Sequence, residues 1–258
     1  MKKRVLITGG NKGLGKAIAL NMATKSDIET IVITARNNTQ LEETKKEILK
    51  INFKIDVKAI QGDLSSFESI TDLINELKKS DISFNVIINN AGTGDIGPFE
   101  DTEDRKIEEV FYVNAIAPTL LIKNLLPGLR QNGWGRIINI SSISVFKPNA
   151  LLLPYVVSKS VLKSLSECIT AAEIKNGITC NTIMPGLMLT DLGKKSIKRS
   201  FPDYNDQNAA EIENKVAKNM PSGQLVDLSE ITSTIDFLLS DSARGISGEY
   251  FRVASGII

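Results

Sequence analysis

The most constraining feature of this chain of 258 residues is an alternation between short apolar, β-branched runs and longer amphipathic stretches. The short runs carry apolar residues on both faces, which is typical of buried strands in a parallel sheet. The stretches between them space apolar residues three or four positions apart, as in Ile70-Leu73-Ile74-Leu77, which predicts helices. Seven runs are predicted to be strands: 4–8, 30–35, 55–60, 84–89, 135–141, 178–184 and 249–253.

This order predicts an α/β fold with a doubly wound parallel sheet of about seven strands and helices on both faces. The segment from Pro185 to Ser229 interrupts the alternation, because several Gly and Pro residues surround a single predicted helix, 208–218. Long connections in compact domains are usually functional. We therefore predict that residues 186–228 form a helical lid after strand six, with a disordered insertion as the alternative.

Composition excludes several classes of chemistry. The chain has no histidine, which rules out Ser-His-Asp and Cys-His catalysis and any His-ligated zinc, and no metal site is expected. Its net charge of +1 favours neither nucleic acid nor an anionic membrane as a partner. Cys168 and Cys180 are expected to be buried thiols, and the apolar run after the basic N-terminus is too short for a signal peptide. We expect a cytoplasmic protein.

A glycine-rich turn follows the first predicted strand and precedes a predicted helix, 16–24. Glycines at such a turn let the backbone approach a pyrophosphate, which the helix N-terminal amides then bind. The alternative is a tight connection without a ligand. The predicted cofactor-binding residues of the turn are Gly9, Asn11, Lys12, Gly13, Leu14 and Gly15.

The end of the second strand predicts which dinucleotide binds. NAD-binding proteins place an acidic residue there for the ribose 2′-hydroxyl, whereas this chain has Arg36 and Asn37. A guanidinium suits a 2′-phosphate, and Lys12 adds a second cation within reach of it. We therefore predict NADP(H) as the cofactor. Two solvated surface cations are the alternative.

Tyr155 and Lys159 lie four residues apart, so a helix places the phenol and the ammonium on one face. A cation beside a phenol favours the phenolate and lowers the pKa of the tyrosine, which then exchanges protons near neutral pH. Ser142 lies thirteen positions before the tyrosine, just past the carboxyl end of strand five, where ligand sites of such sheets occur. A surface Tyr–Lys pair on an amphipathic helix is the alternative.

With these motifs in order, the sequence resembles the short-chain dehydrogenase/reductase family, and most nearly its 3-oxoacyl-(acyl carrier protein) reductases. The resemblance implies a single-domain NAD(P)-binding Rossmann fold over residues 1–258. Its motifs are the glycine-rich turn, 62–64, 89–92, Asn114, Ser142, Tyr155-x3-Lys159, 185–186 and Thr190. The chain departs from the family at its C-terminal end, where Val253-Ala254-Ser255-Gly256 replaces the common Val-Asp-Gly-Gly.

The resemblance also implies roles for individual residues. Asp63 and Leu64 flank the adenine, and Asn90, Ala91 and Gly92 line the adenosine ribose and the floor of the site. Pro185, Gly186, Met188 and Thr190 hold the carboxamide side of the nicotinamide, and Lys159 holds the nicotinamide ribose. Tyr155 is the general acid, Ser142 donates to the reacting oxygen, and Asn114 holds a water that reloads the proton through Lys159.

The predicted function is NADP-dependent hydride transfer between nicotinamide and a carbonyl or secondary alcohol. The alternatives are an NAD(P)-dependent alcohol dehydrogenase of a specialised biosynthetic pathway and a catalytically silent NADP-binding regulator. Predicted substrate walls are apolar. The basic run 194–199 would suit an acidic carrier protein or a phosphorylated substrate, and a solvated lid face is the alternative. The family resemblance implies a homotetramer or homodimer. The predicted wall residues are Ile96, Phe99, Val145, Phe146, Leu151, Leu152, Leu187 and Met188.

Overall fold

The computed structural model describes residues 1–94 and 97–258 and contains one seven-stranded sheet. The strand order is β3-β2-β1-β4-β5-β6-β7, and every neighbouring pair is parallel. The predicted α/β fold with a parallel sheet is confirmed. The strands are β1 (Lys3–Thr8), β2 (Ile28–Ala35), β3 (Asp56–Gln61), β4 (Val86–Asn89), β5 (Gly135–Ile140), β6 (Ile178–Pro185) and β7 (Tyr250–Val253).

The strands form where the sequence is β-branched because both faces of the sheet are covered. Successive residues of β1 point to opposite faces: Val5 and Ile7 belong to one hydrophobic cluster, and Leu6 belongs to the other. All three are fully buried. Each predicted strand end lies within two residues of the observed one, the largest shifts being those at the starts of β2 and β4.

Helices cover both faces of the sheet. Helices α1, α2 and α9 pack on one face, and α3 and α5 pack on the other together with residues of α6. A π-helical turn, Tyr112–Ile116, connects α4 to α5. The helices are α1 (Gly13–Ala23), α2 (Asn38–Ile51), α3 (Phe67–Lys79), α4 (Asp104–Phe111), α5 (Ala117–Gln131), α6 (Leu153–Glu173), α7 (Asp191–Ser200), α8 (Ala209–Lys218) and α9 (Leu228–Leu238).

By length and hydropathy alone, one helical stretch of the described chain, Asp104–Gln131, is long and apolar enough to cross a membrane. Its residues Leu121, Ile122 and Leu125 are buried against the sheet. Core helices pass the same test, so this stretch is weak evidence for a membrane span.

The segment after β6 contains two helices rather than the single one predicted. Helix α8 matches the prediction, whereas α7 was missed because its only buried apolar side chain is Ile197, so the run has no apolar periodicity. Helix α7 begins at Asp191, since the Thr190 hydroxyl accepts a hydrogen bond from the Gly193 amide at 3.3 Å. Ile197 packs with Tyr204, Ile212 and Val216 in a third, small hydrophobic cluster.

The two cysteines are both free thiols, but only Cys180 is buried; the prediction that Cys168 is buried is wrong, since it lies on the outer face of α6. Cys180 lies within the sheet among polar groups: its Sγ is 3.5 Å from the side chains of Asn139 and Ser166. Burial raises the pKa of the Cys180 thiol to about 12.

Candidate active site

A cleft of about 690 Å³ opens along the carboxyl ends of the strands. The strand order reverses between β1 and β4, which is the switch point where open α/β sheets bind ligands. The segments that follow β1 to β6 all contribute lining residues, and α7 closes one side. All predicted catalytic and cofactor residues except Asn114 line this cleft.

The glycine-rich turn depends on glycine at several of its positions. Gly9 and Gly13 adopt positive φ values of +68° and +53°, which favour glycine. A Cβ on Gly15 would lie 2.1 Å from the Gly9 carbonyl oxygen, so a side chain there has no room. No side chain of the described residues caps the N-terminus of α1, and its first turn contains no acid. These amides therefore suit a bound anion.

The residues predicted to hold the adenosine lie on both sides of this turn. The Asn90 amide donates to the Thr8 carbonyl at 2.9 Å, which ties the loop after β4 to the end of β1. Asp63 accepts the Ser65 amide at 3.1 Å, and Leu64 lines the cleft beside it. Asn37 caps α2 by accepting the Gln40 amide at 3.0 Å.

Both predicted phosphate-binding cations lie at the rim of the cleft and face acids that the sequence reasoning missed. Lys12 donates to Asp191 at 2.6 Å, and both side chains are more than half exposed. An Arg36 guanidinium nitrogen lies 3.6 Å from a carboxylate oxygen of Glu109 on α4. The two acids also line the cleft, so each cation already has a carboxylate partner there.

The structure brings together Tyr155, Ser142 and Lys159 at the inner wall of the cleft. Helix α6 begins at Leu153, with a proline in its first turn, and so presents Tyr155 and Lys159 on the same face. Ser142 follows β5 and caps a short 3₁₀ turn, Ile143–Val145. The Tyr155 phenol and the Ser142 hydroxyl both line this wall, and Ser142 is near enough to influence the pKa of Tyr155.

The pKa values of the two titratable groups are set mainly by burial. Burial raises the pKa of the Tyr155 phenol, and the hydrogen bond with Ser142 opposes this. Burial lowers the pKa of Lys159 to about 8, and its ammonium donates to the Ile140 carbonyl at 2.8 Å. The prediction that Lys159 brings the pKa of Tyr155 below 10 is therefore wrong. Removal of the phenol from water sets the direction of the shift.

Asn114 is fully buried in the π-helical turn behind the cleft. Its amide nitrogen donates to the Thr93 carbonyl at 2.7 Å and to the Ser158 hydroxyl at 2.9 Å, and its oxygen accepts the Thr93 amide at 3.0 Å. Both donors are used, so the side chain joins the loop after β4 to α6. One lone pair of its oxygen remains for a further partner.

The predicted substrate wall is partly wrong. Leu152, Leu187 and Met188 line the cleft, whereas Phe99, Val145, Phe146 and Leu151 do not. Phe146 instead packs near Tyr250 and Arg252 on β7. Ile96 lies outside the described residues. Lining residues that lie outside the predicted motifs, wall segments and lid include Gln40, Glu109 and Val113.

Comparison with known proteins identifies the class. The short chain dehydrogenase family model matches residues 3–200, more than half of the sequence. The chain therefore belongs to the short-chain dehydrogenase/reductase family. It is 26% identical to D-beta-hydroxybutyrate dehydrogenase of Cupriavidus necator, covering 98% of this chain and 97% of that protein. It is 28% identical to L-xylulose reductase of Caenorhabditis elegans, covering 98% and 95%.

Two further relatives bear on the cofactor and the substrate. A 3-oxoacyl-(acyl-carrier-protein) reductase of Aquifex aeolicus is 26% identical, covering 98% of this chain and 96% of that protein. The crystal structure of L-sorbose reductase from Gluconobacter frateurii, complexed with NADPH and L-sorbose, superposes with a TM-score of 0.90. It is 28% identical and covers 100% of this chain and 97% of that one. The protein is thus an oxidoreductase that uses a nicotinamide cofactor on small-molecule carbonyl or alcohol substrates.

Proposed function

We propose that the protein is an NADP(H)-dependent carbonyl reductase or alcohol dehydrogenase in which Tyr155 is the general acid and base. The observation that carries the proposal is that Ser142, Tyr155 and Lys159 line one cleft, with Lys159 one helical turn from Tyr155. A binding protein without catalysis has no need of a half-buried phenol, a serine hydroxyl and a buried lysine together at a cofactor cleft.

The raised pKa of Tyr155 suits carbonyl reduction. A phenol that stays protonated at neutral pH has its proton available for the developing alkoxide. Ser142 donates to the same oxygen and stabilises its negative charge. Bound NADPH supplies the hydride. Lys159 carries a positive charge below about pH 8, so it attracts the nicotinamide ribose and favours return of a proton to the phenolate. In alcohol oxidation the same groups act in reverse.

Three features support a preference for NADP(H). Arg36 and Lys12 flank the place where a 2′-phosphate would lie, and the end of β2 carries no acid. The uncapped N-terminus of α1 suits the pyrophosphate. L-sorbose reductase, a relative with the same fold, was crystallised with NADPH. Asn114 joins the loop after β4 to the helix of Tyr155 and, in this proposal, holds the water of the proton relay with its free lone pair.

The substrate in this proposal is a small, mainly apolar carbonyl compound, because the apolar side chains of Leu152, Leu187 and Met188 line the cleft. Residues 186–228 act as its lid. Lys195 of the basic run also lines the cleft, which keeps an acidic or carrier-bound substrate as a second candidate. A homotetramer or homodimer remains a prediction.

Replacement of Tyr155 by Phe tests the mechanism. Consumption of NADPH is measured with a panel of ketones and 3-oxoacyl thioesters, and the variant is expected to lose at least about a thousandfold in kcat, since the proton donor is gone. NADPH affinity should change by less than about threefold. Tyr250→Phe is the control. The hydroxyl of Tyr250, on β7, donates to Glu167 of α6 at 2.7 Å, and Tyr250 does not line the cleft. Turnover retained in Y155F would refute the proposal.

A further inference from the structure

Ser144 lines the cleft two residues after Ser142, on the 3₁₀ turn that follows β5. Its hydroxyl donates to the Ser142 hydroxyl oxygen at 2.9 Å. Its backbone amide donates to that same oxygen at 3.2 Å. The oxygen of Ser142 therefore receives two hydrogen bonds from one neighbour, one of which is fixed by the backbone of the turn.

A serine hydroxyl has one donor hydrogen and two acceptor lone pairs. With both lone pairs of Ser142 occupied by Ser144, the oxygen has no acceptor site left for Tyr155. Toward Tyr155 or a substrate oxygen, the Ser142 hydroxyl can then act only as a donor. This direction leaves the hydrogen of Tyr155 free to point at a substrate oxygen. The opposite direction would place the Tyr155 hydrogen on Ser142, away from the substrate.

Two serines near Ser142 donate their hydroxyl hydrogens to backbone carbonyls. Ser141 donates to the Lys159 carbonyl at 2.9 Å, and Ser158 donates to the Tyr155 carbonyl at 2.8 Å. Ser144 instead donates to Ser142, a proposed catalytic side chain. In a chain of hydrogen bonds, each donor also polarises the next hydroxyl. The hydroxyl of Ser144 thus acts on a catalytic side chain, whereas those of Ser141 and Ser158 act on the backbone.

We infer that Ser144 is a positioning residue, which keeps the single hydrogen of the Ser142 hydroxyl available for the reacting oxygen of the substrate. This inference rests on the proposed function, in which Ser142 and Tyr155 act on that oxygen. Ser144→Ala removes one of the two bonds to Ser142, so Ser142 regains an acceptor site and a rotational choice. Ser144→Thr keeps the hydroxyl.

A double-mutant cycle tests the inference. In the wild-type background, S144A is expected to lower kcat for carbonyl reduction about 5- to 20-fold, the effect of one oriented hydrogen bond, with NADPH affinity unchanged. S144T should restore most of the rate. In the Ser142→Ala background, S144A should cause no further loss, because the group that it orients is absent. Ser160→Ala is the control, since its hydroxyl donates only to the Val156 carbonyl at 2.8 Å.

The pH profile of alcohol oxidation supplies a readout that mere loss of packing would not change. Because the Ser142 bond lowers the pKa of Tyr155, S144A should move the rising limb to higher pH, and S160A should leave it in place. Equal losses from S144A in both backgrounds would overturn the inference, as would a change confined to KM for the substrate or no change at all. Failure of the proposed function looks different: S142A and Y155F would then retain turnover themselves.

Discussion

The inner wall of the cleft and its rim both carry charged or ionisable side chains, but those of the wall are much less exposed to solvent. At the wall, Lys159 is 3% exposed, and its pKa falls to about 8 through burial alone. At the rim, Lys12 and Arg36 are more than half exposed and are paired with carboxylates. We therefore expect burial to govern proton chemistry at the wall and competition between anions to govern cofactor binding at the rim. Substitutions at the wall should change rates strongly, and those at the rim should change affinities moderately.

The largest expected effect comes from Lys159→Met. Turnover should fall by at least about a thousandfold, because the cation of the proton path is lost. The free energy of unfolding at pH 7 should nevertheless rise by about 2 kcal/mol, since a buried charge is removed. Lys163→Met, one turn further along the same helix, should retain turnover, because Lys163 does not line the cleft. Urea unfolding and steady-state kinetics measure both quantities, and a variant less stable than wild type would contradict the burial argument.

The stability gain of K159M should itself depend on pH. The pKa of Lys159 is lower in the folded protein, about 8, than its ordinary value of 10.5. The charged lysine therefore penalises folding fully below about pH 8, and the penalty fades as the pH rises towards 10.5. The difference in unfolding free energy between variant and wild type should shrink over that window. A difference that grows with pH would show that the sign is wrong.

Carbonyl reduction by the wild-type protein should follow the same group. The raised pKa of Tyr155 keeps the phenol protonated across the neutral range, so the limiting titration is that of Lys159. With saturating NADPH, kcat should be flat between pH 6 and 7 and should decline about tenfold once the pH has risen one unit past about 8. Initial rates at constant ionic strength measure this, and a rate that increases through pH 8 is the contrary result.

At the rim, Arg36→Ala should weaken NADPH binding about 10- to 100-fold, the usual effect of losing a charged, forked hydrogen bond. NADH, which has no 2′-phosphate, should bind with less than about a twofold change. Arg105→Ala on α4 is a matched control, because that side chain is exposed and does not line the cleft. Fluorescence titration of both cofactors gives the ratio; equal losses for NADH and NADPH would remove Arg36 from the phosphate pocket.

The smallest effects should come from the acids that face these cations. Glu109→Gln and Asp191→Asn each remove a competitor for a predicted phosphate-binding cation, so NADPH should bind about two- to fivefold more tightly in each. The gain should diminish in high salt. Stability should change by less than about 0.5 kcal/mol in D191N, because its ion pair is exposed. Weaker NADPH binding in both variants would mean that the acids assist the cofactor.

Local sequence patterns predicted much of the fold, because burial and backbone geometry restrict which residues can occupy the strands and the glycine-rich turn. Strands such as β1 and β6 are buried on both faces, so their β-branched runs stand out. The turn at Gly15 has no room for a side chain, so the position requires glycine, which the sequence shows directly. Helix α7 escaped notice because the small cluster around Ile197 needs only one of its apolar side chains.

The features that sequence reasoning missed depend on tertiary contacts. Lys12 and Asp191 are 179 positions apart, and no local pattern announces their ion pair. Phe146 was predicted to line the substrate site but packs near β7. Its position depends on the path of its loop, which the local sequence does not show. The direction of the pKa shift of Tyr155 was wrong because the i,i+4 spacing shows the nearby cation but not the loss of water.

The contrast between the two cysteines has a practical consequence. Cys180 is buried with a pKa near 12, so it stays a thiol and lies out of reach of alkylating reagents, whereas Cys168 is exposed on the outer face of α6. A maleimide dye should therefore attach to the native protein at Cys168 alone. The natural chain thus offers a ready anchor for a fluorophore on the helix that carries Tyr155, without any engineered substitution.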